Sequence, residues 1–163
     1  MDAILKDKYI PSLTAAEAGS YSPLVLAFVG DSFYEQAIRT MFVLHGNARP
    51  NDLNRKKNRL VSAEAQSAMT EVLLPLLTEE EEKIYRRGRN ARSYTSAKNA
   101  SITDYRRATG FEALIGYLYL TGRTERAYEL IDAAIGALPD PPRACPPSAH
   151  RAGAASAGTN RRR

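Results

Sequence analysis

The chain has 163 residues, 44% hydrophobic and 25% charged, with a formal net charge of +5 and a single cysteine. That length fits one domain able to bury a core without disulfides or a structural metal. The lone Cys145 excludes both an intramolecular disulfide framework and a cysteine-based zinc site.

No apolar run approaches the roughly 20 residues of a membrane span. Residues Met1 to Lys8 carry both signs of charge and no long apolar block, so no secretory signal is expected. These features point to the cytoplasm, with an organelle as the alternative. Most of the net charge lies after Leu138, where Arg143, Arg151, Arg161, Arg162 and Arg163 face one acid, Asp140. The remainder is nearly neutral, so a nucleic-acid site must come from local clustering.

In chain order the sequence reads as helical. Ser22-Pro23 has the form of a helix start, the run Leu24 to Leu44 places apolar residues at helical spacing, and Gly46 is its stop. A short element begins near Asn51. Ser62 caps a helix through Ala68, Met69 and Leu73, and Pro75 weakens its end. Thr78 with Glu81 makes a capping box, with Glu79 to Glu82 at the positive helix N-terminus. That helix is expected to reach about Arg87, where Gly88 interrupts it. Asp104 to Leu120 is a second long apolar helix ended by Gly122, and Thr124 to Leu138 is an amphipathic last helix. No strand is evident. The chain divides into a domain over residues 1–138 and a tail over 139–163, rich in Pro, Ala, Gly, Ser and Arg and without apolar periodicity, which reads as disordered.

Two segments carry chemistry. In Leu26-Ala27-Phe28-Val29-Gly30-Asp31-Ser32-Phe33-Tyr34-Glu35 an acid sits in an otherwise apolar helix, and Asp31 and Glu35 share a helical face. In Gly110-Phe111-Glu112-Ala113-Leu114-Ile115-Gly116 a second acid, Glu112, is similarly placed, flanked by glycines that allow close helix approach. A carboxylate in such a setting is costly unless it is paired or binds a metal. If the two long helices pack together, Asp31 and Glu112 converge as oxygen ligands for a hard cation such as Mg²⁺. The residues alone leave this balanced against two salt-bridged helix acids.

Basic residues cluster at Arg55, Lys56, Lys57 and Arg59, and again from Lys83 to Lys98. Beside a metal site such clusters become phosphate contacts; the candidates are Lys57, Arg59, Arg87, Arg89, Asn90, Arg92 and Lys98.

Leu26-Ala27-Phe28-Val29-Gly30-Asp31 resembles the signature segment of ribonuclease III, and Gly110-Phe111-Glu112-Ala113-Leu114-Ile115-Gly116-Tyr117-Leu118-Tyr119-Leu120 resembles that family's second acidic helix. Between them, Pro50-Asn51-Asp52-Leu53, Val61-Ser62-Ala63-Glu64-Ala65-Gln66 and Arg87-Gly88-Arg89-Asn90-Ala91-Arg92 resemble the Mini-ribonuclease III branch, a catalytic domain without a separate RNA-binding domain. The likeness runs over residues 22–137 with all the motifs in order. It implies an all-α ribonuclease III-like helical bundle acting as a homodimer. It also implies that Asp31 and Glu112 hold a catalytic Mg²⁺, and that double-stranded RNA is cut to 5′-phosphate and 3′-hydroxyl ends. The implied substrate is precursor large-subunit (23S) ribosomal RNA, with a ribosomal protein or the tail as an aid to binding. Ala27 and Thr109 stand where ordinary ribonuclease III has further acids, which is similar to the Mini branch. Glu35 and Thr109 are candidates for contacts behind the ligands, Glu35 alternatively being structural. The reduced acid set also motivates the competing expectation, a non-catalytic RNA-binding or ribosome-associated module.

Overall fold

The computed structural model describes residues 9–92 and 101–138. The candidate Lys98 and the 139–163 tail lie outside the described residues. Among those described there is no strand. The helices are α1 (Ala15–Ser20), α2 (Pro23–Leu44), α3 (Pro50–Val61), α4 (Ala63–Leu73), α5 (Glu79–Arg89), α6 (Ile102–Leu120) and α7 (Thr124–Gly136), with a 3-10 turn at Leu74–Leu76 after α4. None is long and apolar enough to cross a membrane.

The bundle is built around α6. It packs against α2, α5, α4 and α7, so Ala108 through Leu118 are buried apart from the half-buried Glu112. A helix apolar on every side belongs in a core, which is why α6 reads as a nearly continuous apolar run. Tyr34, Ile38, Met69, Leu73, Phe111, Leu114, Leu118, Leu130 and Ile135 form the larger core cluster, with the Tyr34 ring edge-on to Phe111. Burying each such large side chain contributes roughly 1.5–3 kcal/mol. A smaller cluster joins Ala18 of α1, Leu26 and Ala27 of α2, Ile84 of α5, and Ala113 and Tyr117 of α6.

Several ends follow the sequence and several do not. The Thr78–Glu81 capping box forms at α5, and Gly122 takes the left-handed φ of 72° after α6. The Ser22 side chain makes no capping bond; Pro23 at the first turn starts α2 instead. The short element after Pro50 is a 12-residue helix. The last helix ends at Gly136. Gly88 does not interrupt α5, which runs on to Arg89. A Cβ there would lie 2.7 Å from Ala113 Cβ and 2.9 Å from Gly110 Cα, so Gly88 is where α5 closes on α6. Helix α1, stabilised by a Thr14–Glu17 capping box, was not foreseen.

One buried ion pair fastens α5 to α7. The Glu81 side chain is 3% exposed and lies 3.0 Å from Arg126 Nε. Burial alone would raise the Glu81 pKa, but the hydrogen bonds from Arg126 and the Thr78 backbone outweigh it and hold the carboxyl below its usual range. Arg126→Met would strand that charge. The expected cost is about 2 kcal/mol in a urea unfolding curve at pH 7. The loss should shrink in acid, because the pair's stabilisation disappears as pH falls through the depressed pKa of Glu81.

Candidate active site

Helices α2 and α6 meet backbone to backbone. A Cβ on Gly30 would lie 1.8 Å from the Glu112 carbonyl oxygen, and one on Gly116 would lie 2.0 Å from the Leu26 carbonyl oxygen. Only two glycines permit this approach. Gly30 precedes Asp31 directly, and Glu112 is one helical turn before Gly116, so the crossing brings the two acids together. Gly110, by contrast, faces Tyr85 of α5, so only Gly116 of the two flanking glycines serves the approach to α2.

Asp31 sits exposed at the rim and Glu112 half-buried beneath it. Burial pushes the Glu112 carboxyl up to about 8; the charge of Asp31 adds to this and a hydrogen bond from Gln66 opposes it. Asp31 is also raised, first by burial and then by Glu35, with Lys57 pulling the other way. Neither acid is ion-paired with a described basic residue. Two carboxyls have therefore been placed together at a backbone crossing, each harder to ionise for it, with no ion-pair partner among the described residues.

The surrounding candidates fall in different places. Glu35 pairs with Arg39 on its own helix and with Lys57 Nζ at 3.0 Å from α3. Those two partners lower its pKa. Lys57 is only 13% exposed in its side chain; it is anchored at the acid cluster. Thr109 is buried and its hydroxyl donates to the Tyr105 carbonyl at 2.9 Å. Ala27 is buried in the smaller core cluster. Arg87 donates to the carbonyls of Gly19 at 2.6 Å and Tyr21 at 2.9 Å, clamping the α1–α2 junction. Arg59 and Arg92 are exposed. Asn90 ends α5, and Arg89 Nε donates to its Oδ1 at 3.3 Å.

Gln66 of α4 was not singled out in the sequence, although its motif was. It is 1% exposed, and its side chain lies near enough to Glu112 to lower that carboxyl's pKa. A lone Gln in a run of small and polar residues gives no sign that it reaches another helix.

The groups gathered here are hard oxygen donors. Among the described residues no cluster of three or more His, Cys, Asp or Glu that could hold a metal ion forms. A cation that keeps most of its water and takes one or two carboxylates, as Mg²⁺ does, fits the pair Asp31 and Glu112, because its charge would relieve their repulsion.

Residues 24–123 match the Ribonuclease III domain family. A Mini-ribonuclease 3 of Brevibacillus brevis is 52% identical over 113 residues, covering 69% of this chain and 84% of that protein. One from Enterococcus faecalis is 53% identical over 114 residues, covering 69% and 86%. A crystal structure of a Fusobacterium nucleatum protein superposes with a TM-score of 0.65 at 31% identity, covering 72% of this chain and 93% of that one.

Proposed function

Because the chain belongs to the Mini-ribonuclease III branch of the ribonuclease III family and is an endoribonuclease, we propose that it cuts double-stranded RNA with Mg²⁺ at Asp31 and Glu112, maturing precursor large-subunit ribosomal RNA in the cytoplasm. The observation that carries the reading is the pair of acids brought together at the α2–α6 backbone crossing, each with its pKa raised.

Bound Mg²⁺ would supply Lewis acidity at the phosphate and a water of lowered pKa. The chain's own residues do the rest. Asp31 at the rim and Glu112 beneath it are the residues that would hold the ion. Lys57 holds Glu35 beside Asp31 and keeps positive charge near the scissile phosphate. Arg59, Arg89, Asn90 and Arg92 are the candidates for gripping flanking phosphates, a contribution that weakens with salt. Water adds to phosphorus and the P–O3′ bond breaks, which leaves a 5′-phosphate and a 3′-hydroxyl. Product ends test this chemistry. Fragments of a long duplex should be joined by RNA ligase without prior phosphorylation, and the separated single strands should stay intact. Cyclic-phosphate ends, or equal cutting of single strands, would contradict it.

The proposed assembly is a two-fold homodimer. Leu24, Val25 and Phe28 recur at helical spacing along the outer side of α2, with the exposed Tyr21 just ahead of the helix, and Phe28 is 78% exposed. An apolar stripe of this kind marks an interaction surface. It lies one turn from Asp31, so a two-fold pairing there would set two active sites near each other, one for each strand of a duplex. Phe28→Glu is expected to halve the mass measured by light scattering while leaving the helical circular dichroism signal unchanged. A dimer persisting in that variant would move the interface elsewhere.

A further inference from the structure

Helix α4 turns Gln66, Met69, Thr70 and Leu73 inward at helical spacing. Met69 and Leu73 join the larger core cluster. Thr70 spends its hydroxyl on the Gln66 carbonyl at 2.7 Å. Gln66 is different: its side-chain amide is buried at 1% exposure, yet Oε1 has no hydrogen-bond partner among the described residues. On the other side of that amide, Nε2 lies 3.5 Å from the Val61 carbonyl, at the limit of a hydrogen bond, and the side chain is near enough to the Glu112 carboxyl to pull its pKa down against burial.

A buried acceptor left unsatisfied costs about 1–3 kcal/mol. An apolar side chain of the same length would avoid that cost and pack equally well. A weak bond to Val61 does not explain a polar residue here, whereas contact with Glu112 does. Asp31 has Lys57 and Glu35 on its outer side; Glu112, on the inner side, has Gln66.

Resting on the metal reading above, we infer that Gln66 is a positioning residue of the metal site. Its Nε2 fixes the Glu112 carboxylate by donating to one oxygen, leaving the other for the ion. Its unpaired Oε1 would be the acceptor available to a water of the ion's hydration shell once the ion is bound. Residues that orient metal ligands in this way typically change metal affinity about 10- to 100-fold when replaced.

The test measures Mn²⁺ binding to the full chain without RNA, reading free Mn²⁺ by electron paramagnetic resonance. Gln66→Met keeps length and volume but loses the amide. Gln66→Asn keeps the amide but falls one methylene short. Both are expected to bind Mn²⁺ at least about tenfold more weakly than the wild type. A folded variant of either kind with wild-type affinity would overturn the inference and leave Asp31 and Glu112 as the site. A wild type that binds no Mn²⁺ would instead overturn the metal reading itself. A measurement on the unaltered protein guards against variants that fail to fold. In a Mg²⁺ titration, the ¹⁵N-labelled side-chain amide of Gln66 should shift with the binding midpoint, and an amide that does not move overturns the assignment.

Discussion

Gly30→Ala is expected to destabilise the protein by at least about 3 kcal/mol, at the upper end of overpacking effects. In an ordinary helix position the change would do the opposite, because Ala is favoured over Gly by about 1 kcal/mol. The sign of the result is therefore decisive. The new Cβ would stand 1.8 Å from the Glu112 carbonyl oxygen and 2.6 Å from the Gly116 backbone nitrogen. Both are backbone atoms of a buried helix, so no rotamer change relieves the clash and α2 must move away from α6. That movement also separates Asp31 from Glu112, so activity should fall further than stability alone implies. Gly136→Ala is the control: nothing lies within 4 Å of its Cβ position, and the change should be neutral or stabilising. Urea unfolding of both variants decides the matter, and a Gly30→Ala protein as stable as the wild type would deny the backbone contact.

Asp31→Asn is expected to reduce cleavage by at least about 10³-fold, the several kcal/mol that a correctly held metal contributes. The same change should leave the metal-free protein as stable as before or more so, because it removes a carboxylate that burial and the neighbouring Glu35 already disfavour. The acid pair has a signature in pH as well. The Glu112 carboxyl has its pKa raised from 4.5 to about 8 in the folded protein. The folded state then holds a proton that the unfolded chain has released. This contribution to stability is fully present below pH 4.5 and is lost as pH rises to about 8. Thermal midpoints measured in EDTA should therefore drop through the neutral range. In Glu112→Gln that part of the drop should vanish. A wild type and a Glu112→Gln variant with the same pH profile would mean that the acid is not held in a strained setting.

Much of this was legible in the sequence because its signals were local. Asp31 and Glu112 stood out as acids inside apolar helices. The Thr78–Glu81 box and the Pro23 start were written in short spacings. What escaped depends on partners distant in the chain. Gly88 looks like a helix breaker in one dimension, and only the approach of Gly110 and Ala113 shows it to be a contact point. Gly110 and Gly116 look alike, yet one faces α5 and the other α2. The charge runs put Lys57 and Arg87 among the candidate RNA contacts, and what a run does not say is which partners a side chain has within the fold. Lys57 turns to Glu35, and Arg87 to the carbonyls of Gly19 and Tyr21. Helix α1 is too short, at six residues, to show periodicity. Only its Thr14–Glu17 capping box could have revealed it.

The most direct test of the central claim is incubation of the purified chain with a long double-stranded RNA, in Mg²⁺ or in EDTA, beside Asp31→Asn. The account predicts shortened duplex products from the wild type in Mg²⁺ alone, with the variant still binding duplex but not cutting it. Cleavage that persists in EDTA, or in Asp31→Asn at the wild-type rate, would contradict the assignment of Asp31 and Glu112 as the metal-holding pair.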